Sequence, residues 1–223
     1  MSESRQNRVV ICDDHTVLRH ALKNIIQSNN KNIVVAEAKD HSEALSMLAE
    51  NNADILFQDI ALPGLSGLET IHQVRDKYPN LKIIVFSMYD EPTKIEQAML
   101  YGANAYMVKD ASIQEILTAI EEVVDGKIYI QKKLEHLKKD LEKKLKTDRR
   151  DFTSIHPLDK LSKREREVFF MLSEGQANRF IAKKMFLSPR TVETHRARIL
   201  KKLTLGSTAE LIRFAIKNNL LSV

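Results

Sequence analysis

The chain has 223 residues, 43% hydrophobic and 29% charged, which is enough for two ordinary domains with their own cores. Its single cysteine, Cys12, excludes an intrachain disulfide, and no apolar stretch approaches the roughly 20 residues that a membrane span requires. The net charge of +5 conceals an asymmetry: residues 1–125 carry 11 Lys and Arg against 19 Asp and Glu, whereas residues 126–223 carry 24 against 11. A basic half gains free energy by displacing counterions from phosphates, so a polyanion-binding part attached to an acidic part is expected. The polar start MSESRQNR is followed by no apolar signal region, so the expected compartment is the cytoplasm, without a membrane partner.

Short β-branched runs recur along the first half at 8–12 (RVVIC), 32–38 (NIVVAEA), 54–59 (DILFQD), 82–87 (KIIVFS) and 105–109 (AYMVK). Between them lie amphipathic helical stretches, His15 to Ser28, Ser42 to Asn51, Gly67 to Tyr78, Pro92 to Tyr101 and Ser112 to Asp125. Asp40 with Glu43, and Ser112 with Glu115, have capping-box spacing. The alternation predicts a five-stranded parallel sheet with helices on both faces.

In such a sheet, ligands collect at the carboxyl ends of the strands. There the sequence places Asp13 and Asp14 after the first run, Asp59 after the third, Ser87 at the end of the fourth and Lys109 at the end of the fifth. Any one of these aspartates is more often a turn or helix cap, and Lys109 or Ser87 alone reads as surface. As a set at one sheet edge, they point to chemistry. Three carboxylates would repel one another unless a hard divalent cation, Mg2+, sat among them, and a lysine and a hydroxyl beside them suit a phosphoryl group.

Through CDDH (12–15), FQDIALPGLSG (57–67), VFSMYDE (85–91) and GANAYMVK (102–109), residues 1–125 resemble the receiver domain of two-component response regulators, a flavodoxin-like α/β fold of strand order 2-1-3-4-5. The resemblance implies that Asp59 accepts a phosphoryl group from a sensor histidine kinase. It implies further that Asp14, Asp59 and the carbonyl of Ala61 bind magnesium directly, with Asp13 acting largely through water, and that Lys109 contacts the phosphoryl oxygens. Ser87 and Tyr106 would be the switch pair, the hydroxyl reorienting and the aromatic turning inward; from the residues alone, Tyr106 reads as an ordinary amphipathic side chain. Pro63 and Gly64 are expected to turn the chain after Asp59. Gln58 departs from the usual apolar residue before the phosphoacceptor, and Leu62 from a common methionine. Ala61 and Tyr89 stand where the family tunes the phosphoryl lifetime.

From Gln131 to Asp151 the chain becomes rich in Lys, Glu and Leu. Leu134, Leu137, Leu141 and Leu145 form one apolar stripe, which either packs on the protein's own surface or meets its twin in a dimer. Thr153 to Asp159, with Pro157, reads as a junction. The expected organisation is a receiver at 1–126, a charged helical linker at 127–157 and a DNA-binding domain at 158–223.

The remainder is helical throughout, with four helices forming a small all-α domain. Ser162 with Glu165 caps a helix ending near Gly175, a second begins around Asn178, Ser188 and Pro189 open a third, and Ser207 with Glu210 caps a fourth. The tight connection Phe186 to Ser188 has helix-turn-helix spacing. On the third helix, Val192, Ile199 and Leu203 share the inward face, and Glu193, Thr194, Ala197, Arg198 and Lys201 the outward one, with Arg190 near its start. Such a charged face is commonly only solvated. Against that stand the helix-turn-helix spacing and the excess of 14 basic over 5 acidic residues in 160–223.

The text LSKREREVFFMLSEGQANRFIAKKMFLSPRTVETHRARILKKL resembles the LuxR-type helix-turn-helix of NarL/FixJ regulators. The resemblance implies a recognition helix from Pro189 to Leu203 with Glu193, Thr194 and Ala197 at base-facing positions. It places His195 and Lys201 near the DNA backbone, with packing the alternative for His195. The whole reads as a phosphorylation-controlled transcription regulator acting on double-stranded DNA, a homodimer when phosphorylated or DNA-bound. It is not an enzyme beyond slow autodephosphorylation; a phosphatase would need a cap and an added general acid that no segment supplies.

Overall fold

Strands with apolar residues on both faces must be covered on both sides, and the period-2 alternation decides which helices cover which face. The structure, a computed structural model, describes residues 5–62, 67–148, 158, 160–218 and 220–221. The expected turn at Pro63 and Gly64 and most of the junction from Thr153 to Asp159 lie outside these residues. By internal contacts, the chain divides into two units, Met1–Arg149 and Arg150–Val223.

In the first unit, β1 (Asn7–Cys12), β2 (Asn32–Ala38), β3 (Ile55–Gln58), β4 (Lys82–Ser87), β5 (Ala105–Val108) and β6 (Tyr129–Ile130) form a parallel sheet of order β2-β1-β3-β4-β5-β6. One face buries Val9, Ile11, Ile55, Phe57, Ile84 and Met107 under α1 (Thr16–Gln27) and α5 (Ile113–Val124). The alternate residues Val10, Leu56, Ile83, Val85 and Tyr106 pack under α2 (His41–Asn51), α3 (Gly67–Lys77) and α4 (Pro92–Leu100). Ser112 and Glu115 form the full capping box of α5. At α2, Asp40 accepts from the Glu43 amide, but Glu43 turns to the Lys39 amide instead.

The five-stranded expectation is corrected to six. Gly126, at φ +81°, ends α5, and the apolar run Ile128–Ile130 inside the expected linker returns along β5. The Tyr129 amide donates to Asn104 and the Gln131 amide to Tyr106, so the stretch becomes β6. A 3-10 helix (Lys132–Leu137) and α6 (Lys138–Asp148) follow. Leu134, Leu141 and Leu145 are buried, Leu134, Leu137 and Leu141 join the core on the α4 side of the sheet, and Lys144 pairs with Glu96 of α4 at 2.6 Å. Residues 127–148 are therefore part of the first unit, and the leucine stripe packs within the chain.

The second unit contains α7 (Lys163–Ser173), α8 (Asn178–Met185), α9 (Pro189–Leu203) and α10 (Thr208–Lys217). Phe169 sits at its centre in edge-on contact with Phe170 and Phe214, beside buried Val168, Ile181, Val192, Ile199 and Leu211. Ser162 and Glu165 close a full capping box on α7, Ser188 accepts from the Thr191 amide, and Ser207 from that of Glu210. Phe186 takes the left-handed conformation at φ 56° to end α8 and redirect the chain into α9. Lys202 of α9 ties to Glu165 of α7 at 2.6 Å. Among the described residues, no helix is long and apolar enough to cross a membrane.

Candidate functional site: an acidic sheet edge and a recognition helix

Parallel register carries the polar ends of β1, β3, β4 and β5 to one edge of the sheet. Asp59 follows β3, its amide donating to the Cys12 carbonyl at 2.8 Å, which sets it beside Asp13. Lys109 follows β5, its amide donating to the Ser87 carbonyl at 2.8 Å. From there its Nζ reaches Asp13 Oδ2 and Asp59 Oδ2, each at 2.7 Å, with all three side chains at most 5% exposed. The other Asp59 oxygen, Oδ1, accepts from the Ala61 amide at 2.9 Å.

Burial raises the Asp59 carboxyl above its ordinary value against the opposing pull of Lys109 and the Ala61 amide. Burial also works against the charge of Lys109, yet its hydrogen bonds to Asp13 and Asp59 outweigh this and hold it above the usual lysine value. Cys12, close by, is pushed up to about 12, chiefly by burial, and stays an unreactive thiol.

Asp13, Asp14, His15 and Asp59 each place one ligand atom within 4.8 Å of the others. Three carboxylates facing one ammonium leave a negative excess that suits a divalent cation, and oxygen donors suit a hard one. His15 was not read from sequence as a site residue. It belongs here because its amide donates to Asp13 Oδ1 at 2.7 Å and its Nδ1 lies 2.7 Å from Asp14 Oδ1. Only its place in CDDH could have signalled this.

Gly67 is a second residue with an unread role. A Cβ there would lie 2.3 Å from Ile60 Cα and 2.5 Å from the Asp59 carbonyl, so α3 approaches the backbone of Asp59 only because position 67 has no side chain. Gln58, fully buried, donates to the Asp59 carbonyl at 2.6 Å. Ser87 is buried and accepts from the Tyr89 amide at 3.3 Å. Tyr106 points inward with no exposed surface, its hydroxyl donating to the Tyr89 carbonyl at 2.9 Å, and burial raises its pKa. Gln131 joins the same rim, accepting from the Val108 amide at 2.8 Å and donating to Asp110. A surface hollow of about 580 Å3 lined by Arg5, Asp54, Lys77 and Tyr78 lies at the opposite end of the strands and takes no part in this chemistry.

In the second unit, Arg190, Thr194, Ala197, Arg198 and Lys201 are exposed on α9, while Val192 and Ile199 are buried and Leu203 half-buried, as the helical pattern requires. His195 is half-buried, its Nδ1 enclosed without a hydrogen-bond partner among the described residues. Glu193 differs from a freely exposed carboxylate. Its Oε2 accepts from Asn178 Nδ2 at 2.7 Å and its Oε1 from Arg196.

Comparison with known proteins agrees with both halves. Residues 9–121 match the response regulator receiver domain and residues 159–215 the luxR family of bacterial regulatory proteins. The oxygen regulatory protein NreC of Staphylococcus haemolyticus is 34% identical over 216 residues, covering 96% of this chain and 99% of that one. A LuxR-family two-component response regulator from Aurantimonas sp. SI85-9A1 superposes with a TM-score of 0.57 at 28% identity, over 59% of this chain and 94% of that one. The Salmonella typhimurium response regulator RcsB shares the fold along 96% of this chain and 100% of its own, with a TM-score of 0.57 at 21% identity. RcsB has also been solved as two dimers bound to two parallel DNAs. A receiver followed by a LuxR-type helix-turn-helix, together with a relative one-third identical along nearly its whole length, places this chain in the NarL/FixJ type of two-component response regulators, DNA-binding transcription regulators switched by phosphorylation.

Proposed function

We propose that Asp59 is the phosphoacceptor of this response regulator and that its phosphorylation by a sensor histidine kinase sets the affinity of the second domain for promoter DNA. The observation that carries this reading is the placement of Lys109 Nζ at 2.7 Å from both Asp13 and Asp59 within a buried rim. A bond from an Asp59 oxygen to phosphorus forms as the bond between phosphorus and the donor's imidazole nitrogen breaks, and that electron pair leaves with the imidazole. Asp13, Asp14, Asp59 and the carbonyl of Ala61 would hold Mg2+, which when bound neutralises the carboxylates and polarises the phosphoryl group. Lys109 would then pass from the carboxylates to the phosphoryl oxygens.

Ser87 and Tyr106 are the switch pair of this reading, since both already bracket Tyr89, one at its amide and the other at its carbonyl. Hydrolysis of the acyl phosphate is slow and is the only turnover assigned. On DNA, Glu193, Thr194 and Ala197 face base edges. Arg190, His195, Arg198 and Lys201 meet phosphates, as a homodimer occupies paired half-sites; RcsB, too, binds DNA as dimers. A cytoplasmic location, a receiver extended past residue 126 by β6 and α6, and a DNA-binding domain from 158 complete the reading.

The test is intact mass after incubation with Mg2+ and a small acyl phosphate or phosphoramidate. A single labile phosphoryl adduct on the wild type, absent from Asp59→Asn, supports the assignment; an adduct that survives in Asp59→Asn moves the acceptor elsewhere.

A further inference from the structure

Arg196 is a cation of the recognition helix absent from the sequence reading, and each nitrogen of its guanidinium donates a hydrogen bond within the domain. It sits three residues after Glu193, on the same side of α9, and its Nε donates to Glu193 Oε1 at 3.0 Å while Nη2 donates to the same oxygen. Its remaining nitrogen, Nη1, donates to Thr208 Oγ1 at 2.9 Å, at the first residue of α10. The other carboxylate oxygen, Oε2, accepts from Asn178 at the first residue of α8. Asn178, Glu193, Arg196 and Thr208 thus run as one clasp from the start of α8, across α9, to the start of α10. The hydrogen bonds from Arg196 hold the Glu193 carboxyl below the usual carboxylate range, so it is ionised at neutral pH.

A carboxylate on a DNA-facing helix is a liability, because it repels phosphate unless neutralised. An ionised carboxylate also has about four acceptor sites. Two on Oε1 are taken by Arg196 and one on Oε2 by Asn178, which among the described residues leaves one. We propose that Arg196 is a positioning residue for sequence reading: it neutralises Glu193 and fixes it so that the one free lone pair of Oε2 accepts from a single exocyclic amino group in the major groove, cytosine N4 being the matching donor. Arg196 is on this account not a phosphate contact, unlike Arg198 and Lys201 beside it. The inference rests on the assignment of Glu193 to a base-facing position.

The full-length phosphorylated protein is used to select binding sites from a random double-stranded DNA library, and the bound pool is sequenced. Glu193→Gln is expected to relax one position of each half-site by roughly fivefold or more. Arg196→Met is expected to relax the same position, with the double variant no different from either single one. Thr208→Val cuts one tether of the guanidinium without touching either charge and relaxes the same position to a smaller degree, which keeps the test open should Arg196→Met fold poorly. Wild-type preference in Arg196→Met, with affinity lowered alike for every sequence and a shallower salt dependence, would make Arg196 a phosphate contact and overturn the proposal. Unchanged preference in Glu193→Gln would instead remove the base-facing assignment beneath it, a failure distinguishable from the first.

Discussion

Tyr106, buried at the second position of β5, donates its hydroxyl proton to the main-chain carbonyl of Tyr89 at 2.9 Å. Since the Tyr89 amide is held by Ser87 Oγ and the amide of Gln131 bonds the Tyr106 carbonyl, one tyrosine joins the acidic rim, the β4–α4 loop and β6. Tyr106→Phe removes the hydroxyl's contacts with the Tyr89 carbonyl and with Ser87 and leaves the ring in place. It should cost about 1 kcal/mol of stability, leave the yield of phosphoryl adduct unchanged, and diminish the gain in DNA affinity on phosphorylation. Urea unfolding, intact mass and a binding titration on the same preparation separate these three effects.

The raised pKa of Asp59 makes a signed prediction about stability. A carboxyl whose folded pKa exceeds its unfolded value binds its proton more tightly when folded, so stability falls as pH rises from the unfolded value near 3.8 through the folded one and is flat above it. At neutral pH and without metal, the ionised Asp59 is therefore a burden relative to its protonated form, and Asp59→Asn should gain on the wild type as pH rises. Denaturation in chelator between pH 4 and 8 should show the advantage of the variant growing with pH; an advantage that shrinks as pH rises would contradict the direction.

Gly67→Ala puts a methyl group into the backbone of Ile60 and the carbonyl of Asp59, neither of which can yield as a side-chain tip would. The expected loss is about 3 kcal/mol, and phosphoryl transfer to the displaced Asp59 should slow even in the folded fraction. Thermal unfolding and the rate of adduct formation are the two readouts.

The leucine stripe of the connector is committed to the α4 side of the receiver core, so Leu141→Ala is expected to cost about 3 kcal/mol. The same variant should leave the sedimentation coefficient of the unphosphorylated protein as it is in the wild type. A change in association state would show that the stripe also serves a second copy of the chain.

Much of this is legible in the sequence, because alternation in strands and capping boxes act locally. β2 and β4 span the stretches the apolar runs mark, and α9 begins and ends at Pro189 and Leu203. β6 was hidden, since two residues in a lysine-rich stretch make no periodic pattern and pair only because Gly126 turns the chain back. The stripe of Leu134, Leu137, Leu141 and Leu145 was visible, but a stripe does not name its partner. At the acidic edge, the register of parallel strands brought together Asp13, Asp59, Ser87 and Lys109, whose positions at strand ends are a sequence property. His15, Gly67 and Gln131 act through contacts that spacing does not encode. The clasp at Glu193 escaped for the same reason, as Asn178 lies 15 residues away on another helix.

The central claim is that phosphorylation of Asp59 governs DNA binding, and fluorescence anisotropy on a selected half-site pair tests it directly. With Mg2+ present, the affinity of the wild type is expected to rise on adding a phosphoryl donor, while that of Asp59→Asn stays at its starting value under the same treatment. Equal affinity with and without a verified adduct on the wild type, or a rise shared by Asp59→Asn, would contradict the account.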